Sequence, residues 1–400
     1  MPDRLFEPEV VQCPFPHYQE LREQCPVSKM PEDELYLVTT YDDCVEVLTD
    51  PTTFSSKAGP GLRQKQYPAA RKILDEGHQI VRTLLTNDPP SHTYYRRLVN
   101  RAFTARRVAA LEPGLKLVVD RLTEDLAAKG SADFVATFAQ PLPLIVIADF
   151  LGVPESDLAT FKRWSDDAAS VLGGTLTEDE QIRVNRSLME LLQYFADEAA
   201  ARRASPSTDF MSTLVAAENG ALSTEEIIAI AYVVLVAGNE TTVNLLSSVM
   251  LMLLQDDELM TRVRANRALV PVVVEEALRL QSPIQGFPRR ATTDAVVGGV
   301  TIPAGSQVMV MVAAANRDPA YFADPDEASV SEGSSRAHIA FGKGIHFCVG
   351  AALSRLEAEI GLNALFDRFE SISLQDPDFV PRYADNAILR SLLELPVIAR

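Results

Sequence analysis

Ten residues near the C-terminus constrain this chain more than any other feature. In Phe341-Gly342-Lys343-Gly344-Ile345-His346-Phe347-Cys348-Val349-Gly350, glycines bracket a single cysteine. A helical pattern follows at once in Ala351-Ala352-Leu353-Ser354-Arg355-Leu356-Glu357. Glycine lets the backbone turn tightly and approach a flat ligand closely. The N–H groups and dipole of a helix start just beyond the cysteine favour a thiolate over a thiol. A thiolate so placed can ligate iron. An isolated cysteine would instead read as a buried structural residue. Zinc held by His338, His346 and Cys348 is a weaker alternative, because no fourth ligand stands at a sensible spacing.

Composition narrows the partners. Lys plus Arg number 37 against 55 Asp plus Glu, a net charge of −18 over 400 residues. Nucleic acid and anionic membranes both select a positive footprint, so neither is expected. Cys13, Cys25, Cys44 and Cys348 contain no CxxC pair, which fits a reducing compartment. Met1-Pro2-Asp3-Arg4 opens no cleavable signal. The longest apolar run, Ile227 to Gly238, is too short to span a bilayer. A soluble, cytoplasmic protein is the expectation.

The coarse pattern is mainly helical with a minor β component. Tyr36 to Thr40 reads as a strand and Tyr41 to Leu48 as a helix. Residues from about 92 to 280 are mostly helical in pattern. Ser223-Thr224-Glu225-Glu226 is a capping box before the apolar run. Val296 to Gly305 predicts a hairpin, Val308 to Val312 a buried strand, about Gly350 to Phe369 a helix, and Leu389 to Ile398 short closing strands.

Ala237-Gly238-Asn239-Glu240-Thr241-Thr242 interrupts the long apolar helix. Glycine and paired β-branched residues are unfavourable there, so a compensating role is expected. Thr241 can return its hydroxyl to the carbonyl of Ala237, four residues back, and bend the helix. A solvated face is the plainer alternative, but Glu240 follows thirteen residues without charge.

The cysteine segment resembles the haem-binding signature of the cytochrome P450 family, matching it at Phe341, Gly344, His346, Cys348 and Gly350. Ala237 to Thr242 resembles the family's Ala-Gly-x-Asp/Glu-Thr-Thr motif. Asp88-Pro89-Pro90-Ser91-His92 with Arg96 resembles its Asp-Pro-Pro-x-His-x-x-x-Arg helix start, and Arg289-Arg290-Ala291 its Arg-x-Ala. Further matches, such as Leu151-Gly152-Val153-Pro154 and Asn316-Arg317-Asp318-Pro319, extend the resemblance over nearly the whole chain.

The resemblance implies one catalytic domain over residues 1–400. Its smaller β-rich part is about 1–60 with 290–315 and 385–400, and its larger helical part about 88–285 with 350–370. Haem b is expected between a long helix, about 223–252, and the cysteine loop. The resemblance makes Cys348 the iron ligand, with His92, Arg96, Ala237, Arg289, His346 and Gly350 completing the cofactor-binding set. Thr241 and Glu240 are implied to manage proton delivery to O₂. It locates substrate contacts at Val233, Val236, Ile284, Phe287, Ile388 and Leu389, mostly apolar, and so implies a lipophilic substrate.

Glu276 and Arg279 fall where the family has a structural ion pair. The usual third partner, an Arg in Pro-Asp-Arg-Phe, is missing from Pro325-Asp326-Glu327-Ala328, and Arg336 is the substitute considered. The implied activity is a haem-thiolate monooxygenase, monomeric, served by an acidic ferredoxin or flavodoxin with its NAD(P)H reductase. The acid-free window Pro89 to Leu111 carries Arg96, Arg97, Arg101, Arg106 and Arg107, and suggests where such a partner docks, with Lys343 nearby. A peroxygenase or isomerase, a haem sensor or carrier, and a metal-free helical scaffold are the rivals.

Overall fold

The computed structural model describes residues 2–31, 35–58, 67–173, 176–217, 221–331 and 337–400. The helices that matter for the site are α1 (Tyr41–Thr49), α2 (Ser91–Asn100), α3 (Ala105–Lys129), α4 (Pro141–Leu151), α5 (Leu158–Ser170), α6 (Glu178–Ala204), α7 (Thr224–Leu254), α8 (Val270–Gln281) and α9 (Ala351–Arg368). The strands are β1 (Val27–Lys29), β2 (Leu35–Val38), β3 (Phe54–Ser55), β4 (Ser131–Asp133), β5 (Phe287–Ala291), β6 (Ala295–Val297), β7 (Val300–Ile302), β8 (Gln307–Val310), β9 (Ile372–Leu374) and β10 (Pro396–Ala399). The architecture is mainly α with small sheets, as the sequence pattern predicts.

The chain divides into two compact units. One comprises Met1–Gly59, Glu112–Leu142 and Thr241–Arg400, the other Pro60–Leu111 and Pro143–Glu240. The first unit holds every strand named above. Its five-stranded sheet runs β1-β2-β8-β5-β3. β2 and β8 are parallel with Tyr36 opposite Val308, and β5 is antiparallel to β8 with Arg289 opposite Val308. Val38, Val47, Ile302, Val308 and Val310 pack into an apolar core against this sheet. A second sheet runs β4-β10-β9, and β6-β7 is the predicted hairpin.

Three expectations shift at their edges. The strand predicted over Val308 to Val312 ends at Val310, and Val312 opens a short helix. Leu389 and Leu392 make only isolated bridges, so regular strand begins at Pro396. β4 interrupts the helical stretch with Ser-Ala-Asp, which has no intrinsic strand signal and is extended because it pairs with β10.

The second unit is helical. The capping box forms as expected: the Glu226 carboxylate accepts the Ser223 N–H at 2.7 Å, and the Ser223 hydroxyl accepts the Glu226 N–H at 3.2 Å. The Tyr95 hydroxyl donates to Glu226 at 2.5 Å and ties α2 to the start of α7. The 31 residues of α7 are long and apolar enough to cross a bilayer by composition alone. Its most apolar window is 61% buried inside the protein, as in a core helix.

Candidate haem-thiolate site

In the first unit, the cysteine loop is built by its glycines. Gly342 and Gly344 take φ of +70° and +68°, the left-handed region that favours glycine. At Gly344 a Cβ would also lie 2.7 Å from the Leu48 carbonyl oxygen, so α1 and the loop approach too closely for any side chain. The Cys348 N–H donates back to the Phe341 carbonyl at 2.9 Å and closes the loop. Gly350 caps α9, which begins at Ala351, three residues past Cys348.

Three side chains brace this loop. Glu275 of α8 is buried and accepts two hydrogen bonds from Arg355 of α9, at 2.6 and 2.9 Å. It also lies 3.1 Å from the His338 ring nitrogen. Burial by itself would raise the Glu275 carboxyl. The hydrogen bonds from His338 and Arg355 outweigh it and bring the pKa down to about 2. The Arg355 guanidinium then stacks 4.5 Å from the centre of the Phe341 ring, the first residue of the loop.

This bracing is absent from the sequence reading. Its signal lay in the adjacent carboxylates Glu275 and Glu276, which fall at helical spacings of four and three from Arg279 and cannot be told apart by pattern. Glu276 takes Arg279, at 2.8 Å, with both groups buried. In place of a third side chain, Arg279 donates to the Asn316, Pro325 and Glu327 carbonyls at 3.2, 2.7 and 2.7 Å, and Glu276 accepts the Ser329 N–H at 2.9 Å. Among the described residues, backbone groups therefore stand where the meander Arg would. Arg336 lies outside the described residues.

On β5, Phe287 and Arg289 share one face by strand alternation. The Phe287 ring lies 3.6 Å from the position a Cβ on Gly342 would take, so this strand abuts the cysteine loop. Arg289 is 6% exposed and donates to the Pro288 carbonyl at 2.8 Å. The His346 ring nitrogen lies 2.9 Å from the Ser56 hydroxyl, just past β3. Ile284 and Leu389 form a bridge, and Gln285 N–H donates to the Ile388 carbonyl at 2.7 Å. Ile284, Phe287, Ile388 and Leu389 thus come from two chain segments that lie side by side. With His338 engaged by Glu275 and His346 by Ser56, the zinc alternative has no preformed ligand set.

In the second unit, α2 carries His92, 2% exposed, and Arg96, whose Nε donates to Asn100 at 2.9 Å. Burial first, then the Arg96 charge, lower the His92 pKa and favour its neutral form. Arg97, Arg101, Arg106 and Arg107 are exposed. On α7, Ala237 is exposed and Val233 half-buried, while Leu235, one turn-face away, is fully buried and Val236 nearly so. The helix therefore leaves an accessible stripe at its apolar midpoint, and Thr241 continues it at the i+4 position.

The interrupted turn is held residue by residue. A Cβ at Gly238 would meet the Ile147 side chain of α4 at 2.9 Å. Asn239 donates to the Ser165 hydroxyl of α5 at 2.7 Å. In the first unit, the Thr242 hydroxyl donates to Ser354 of α9 at 3.3 Å. The Glu240 pKa is raised to about 7, by burial first and then by Asp166, with Lys162 opposing. A fully solvated face would not do that.

The family model for cytochrome P450 matches residues 132–394. The chain belongs to the cytochrome P450 family. This P450 is 35% identical to cytochrome P450 107B1 of Saccharopolyspora erythraea, over 99% of its own length and 98% of that protein's. It is 36% identical to the 6-deoxyerythronolide B hydroxylase of the same organism, over 95% and 94%. Among solved structures it superposes on cytochrome P450 CREJ in complex with (4-ethylphenyl) dihydrogen phosphate with a TM-score of 0.93, at 34% identity and 97% coverage of both chains. Its cofactor is haem with a thiolate ligand, and its activity is that of a monooxygenase.

The residues present fit that group. A cysteine stands beside a helix N-terminus in a glycine-turned loop. In the same unit, a buried guanidinium, Arg289, and the donor His346 suit the carboxylates of a dianionic macrocycle.

Proposed function

We propose that this P450 oxidises an unactivated C–H bond of a lipophilic small molecule, with Cys348 as the iron ligand. The observation that carries the reading is the braced, glycine-turned loop that presents Cys348 ahead of α9. Bound there, haem supplies the iron centre at which O₂ is activated for C–H oxidation. Arg289 and His346 would hold its carboxylates through charge-assisted hydrogen bonds, a role the family resemblance also gives to His92 and Arg96. Ala237 and Gly350 offer small, close-approach surfaces to its ring.

Thr241 positions a proton at its Oγ1, and Glu240, with a pKa near neutrality, replenishes it. Val233, Val236, Ile284, Phe287, Ile388 and Leu389 give the substrate apolar contacts and exclude water. Of the basic residues in the 57–86 segment, Arg71 and Lys72 pair with Asp75 and Glu76 on an exposed helix face, which favours a solvated role over contact with a substrate carboxylate; Arg63 and Lys65 lie outside the described residues. This reading takes the enzyme to be a cytoplasmic monomer of one catalytic domain, served by a ferredoxin or flavodoxin and its NAD(P)H reductase. The exposed arginines Arg97, Arg101, Arg106 and Arg107 support an acidic partner.

The carbon monoxide difference spectrum of the reduced protein tests the ligand. A strongly red-shifted Soret band is expected, and its persistence in Cys348→Ser would refute Cys348. Charge reversal at Arg97 and Arg101 is expected to slow ferredoxin-driven turnover and flatten its salt dependence.

A further inference from the structure

Asn239 and Glu240 are neighbours on α7, and both are under the influence of α5. The Asn239 amide donates to the Ser165 hydroxyl at 2.7 Å, and both residues are at most 1% exposed. Lys162, Ser165 and Asp166 share one face of α5, since positions three and four apart are neighbours on a helix. Lys162 and Asp166 form an ion pair of 2.6 Å on that face.

Among the described residues, two charged groups act on Glu240: Asp166 opposes a second negative charge there, and Lys162 favours it. α7 itself carries no other charged residue between Glu226 and Leu254. Two buried acceptors here, Asn239 Oδ1 and Asp166 Oδ1, have no donor among the described residues, and a protonated Glu240 carries a proton of the kind they lack.

We propose that α5 is the positioning element for the Glu240 proton: Ser165 fixes the α7 turn through Asn239, and the Asp166–Lys162 pair sets how firmly Glu240 holds its proton. The inference rests on the reading of Glu240 as a proton source, and deepens it. Ser165, Asp166 and Lys162 are positioning residues that act through α7. An α5 displaced from this turn would break the Asn239–Ser165 bond and withdraw the Asp166 charge together, so the position of α5 and the readiness of the proton are linked.

The test is the titration of the Glu240 carboxyl in the holoenzyme, followed by isotope-edited infrared spectroscopy and assigned with Glu240→Gln. Removing the like charge in Asp166→Asn should lower the midpoint, and removing the cation in Lys162→Met should raise it, each by about 0.5–1 pH unit. The pH profile of peroxide release per NAD(P)H consumed should move in the same direction in each variant. Ser165→Ala should lower coupling several-fold, and Ser165→Thr, which keeps the hydroxyl, should restore it. An unmoved Glu240 midpoint in both charge variants, or equal coupling in all Ser165 variants, overturns the proposal. A midpoint that moves while the coupling profile stays fixed supports the positioning by α5 and removes the proton-source role of Glu240 instead.

Discussion

Arg355 donates to both carboxylate oxygens of Glu275, at 2.6 and 2.9 Å, and so joins α9 to α8 directly behind the cysteine loop. Glu275 is 5% exposed, so it depends on this partner for compensation. Replacing Arg355 by Leu takes two charge-assisted hydrogen bonds from a buried carboxylate, and a loss of about 3 kcal/mol is expected. The folded-state pKa is depressed, so the stabilisation is fully present above the ordinary carboxylate range and fades as pH falls toward about 2. Calorimetry should show the wild type losing melting temperature more steeply than Glu275→Gln across that acid window.

Gly344 and Gly114 should respond oppositely to alanine. At Gly344 the φ of +68° and the Leu48 carbonyl at 2.7 Å from the added Cβ both resist a side chain. Gly344→Ala is expected to cost about 1–3 kcal/mol and to weaken haem retention. Gly114 is an exposed position of α3 with nothing within 4 Å of an added Cβ. Gly114→Ala should therefore stabilise by about 0.5–1 kcal/mol, read as a higher midpoint in urea.

Glu240 should cost stability at alkaline pH. Its folded-state pKa is raised to about 7, so the native state keeps a proton that the unfolded chain has already released. Stability linked to this group is complete below the ordinary Glu value, declines as pH rises from there to about 7, and is lost above it. Glu240→Gln cannot ionise. It should match the wild type near pH 4 and exceed it by about 1–3 kcal/mol near pH 8. Equal unfolding free energies at both pH values would show that the carboxyl is solvated.

Thr241→Ala should separate electron use from product. Losing a positioned proton donor costs rate by about a hundredfold or more in proton transfer, so peroxide should leave before the C–H bond is oxidised. The expected result is near-normal NAD(P)H consumption with product per NAD(P)H several-fold lower and peroxide higher. Full coupling in the variant would remove the role assigned to its hydroxyl.

The contiguous motifs are legible in the sequence because their chemistry is local. The turn of Gly342 and Gly344, the helix after Gly350, the capping box at Ser223 and the break at Gly238-Asn239 all follow from backbone freedom, caps and periodicity within a few residues. The sequence by itself therefore determined the fold class, the thiolate candidate Cys348 and the acid–alcohol pair Glu240–Thr241. It could not determine which distant groups meet them. Arg355 reaches Glu275 across 80 positions, Ser165 reaches Asn239 across 74 and His346 reaches Ser56 across 290. Only tertiary packing chose Glu275 over Glu276 for the cysteine loop, and gave Arg279 backbone carbonyls in place of a meander Arg. The reason is physical: a buried charge takes whichever complementary group the fold brings within about 3 Å, and that proximity is a property of packed helices that no sequence spacing encodes.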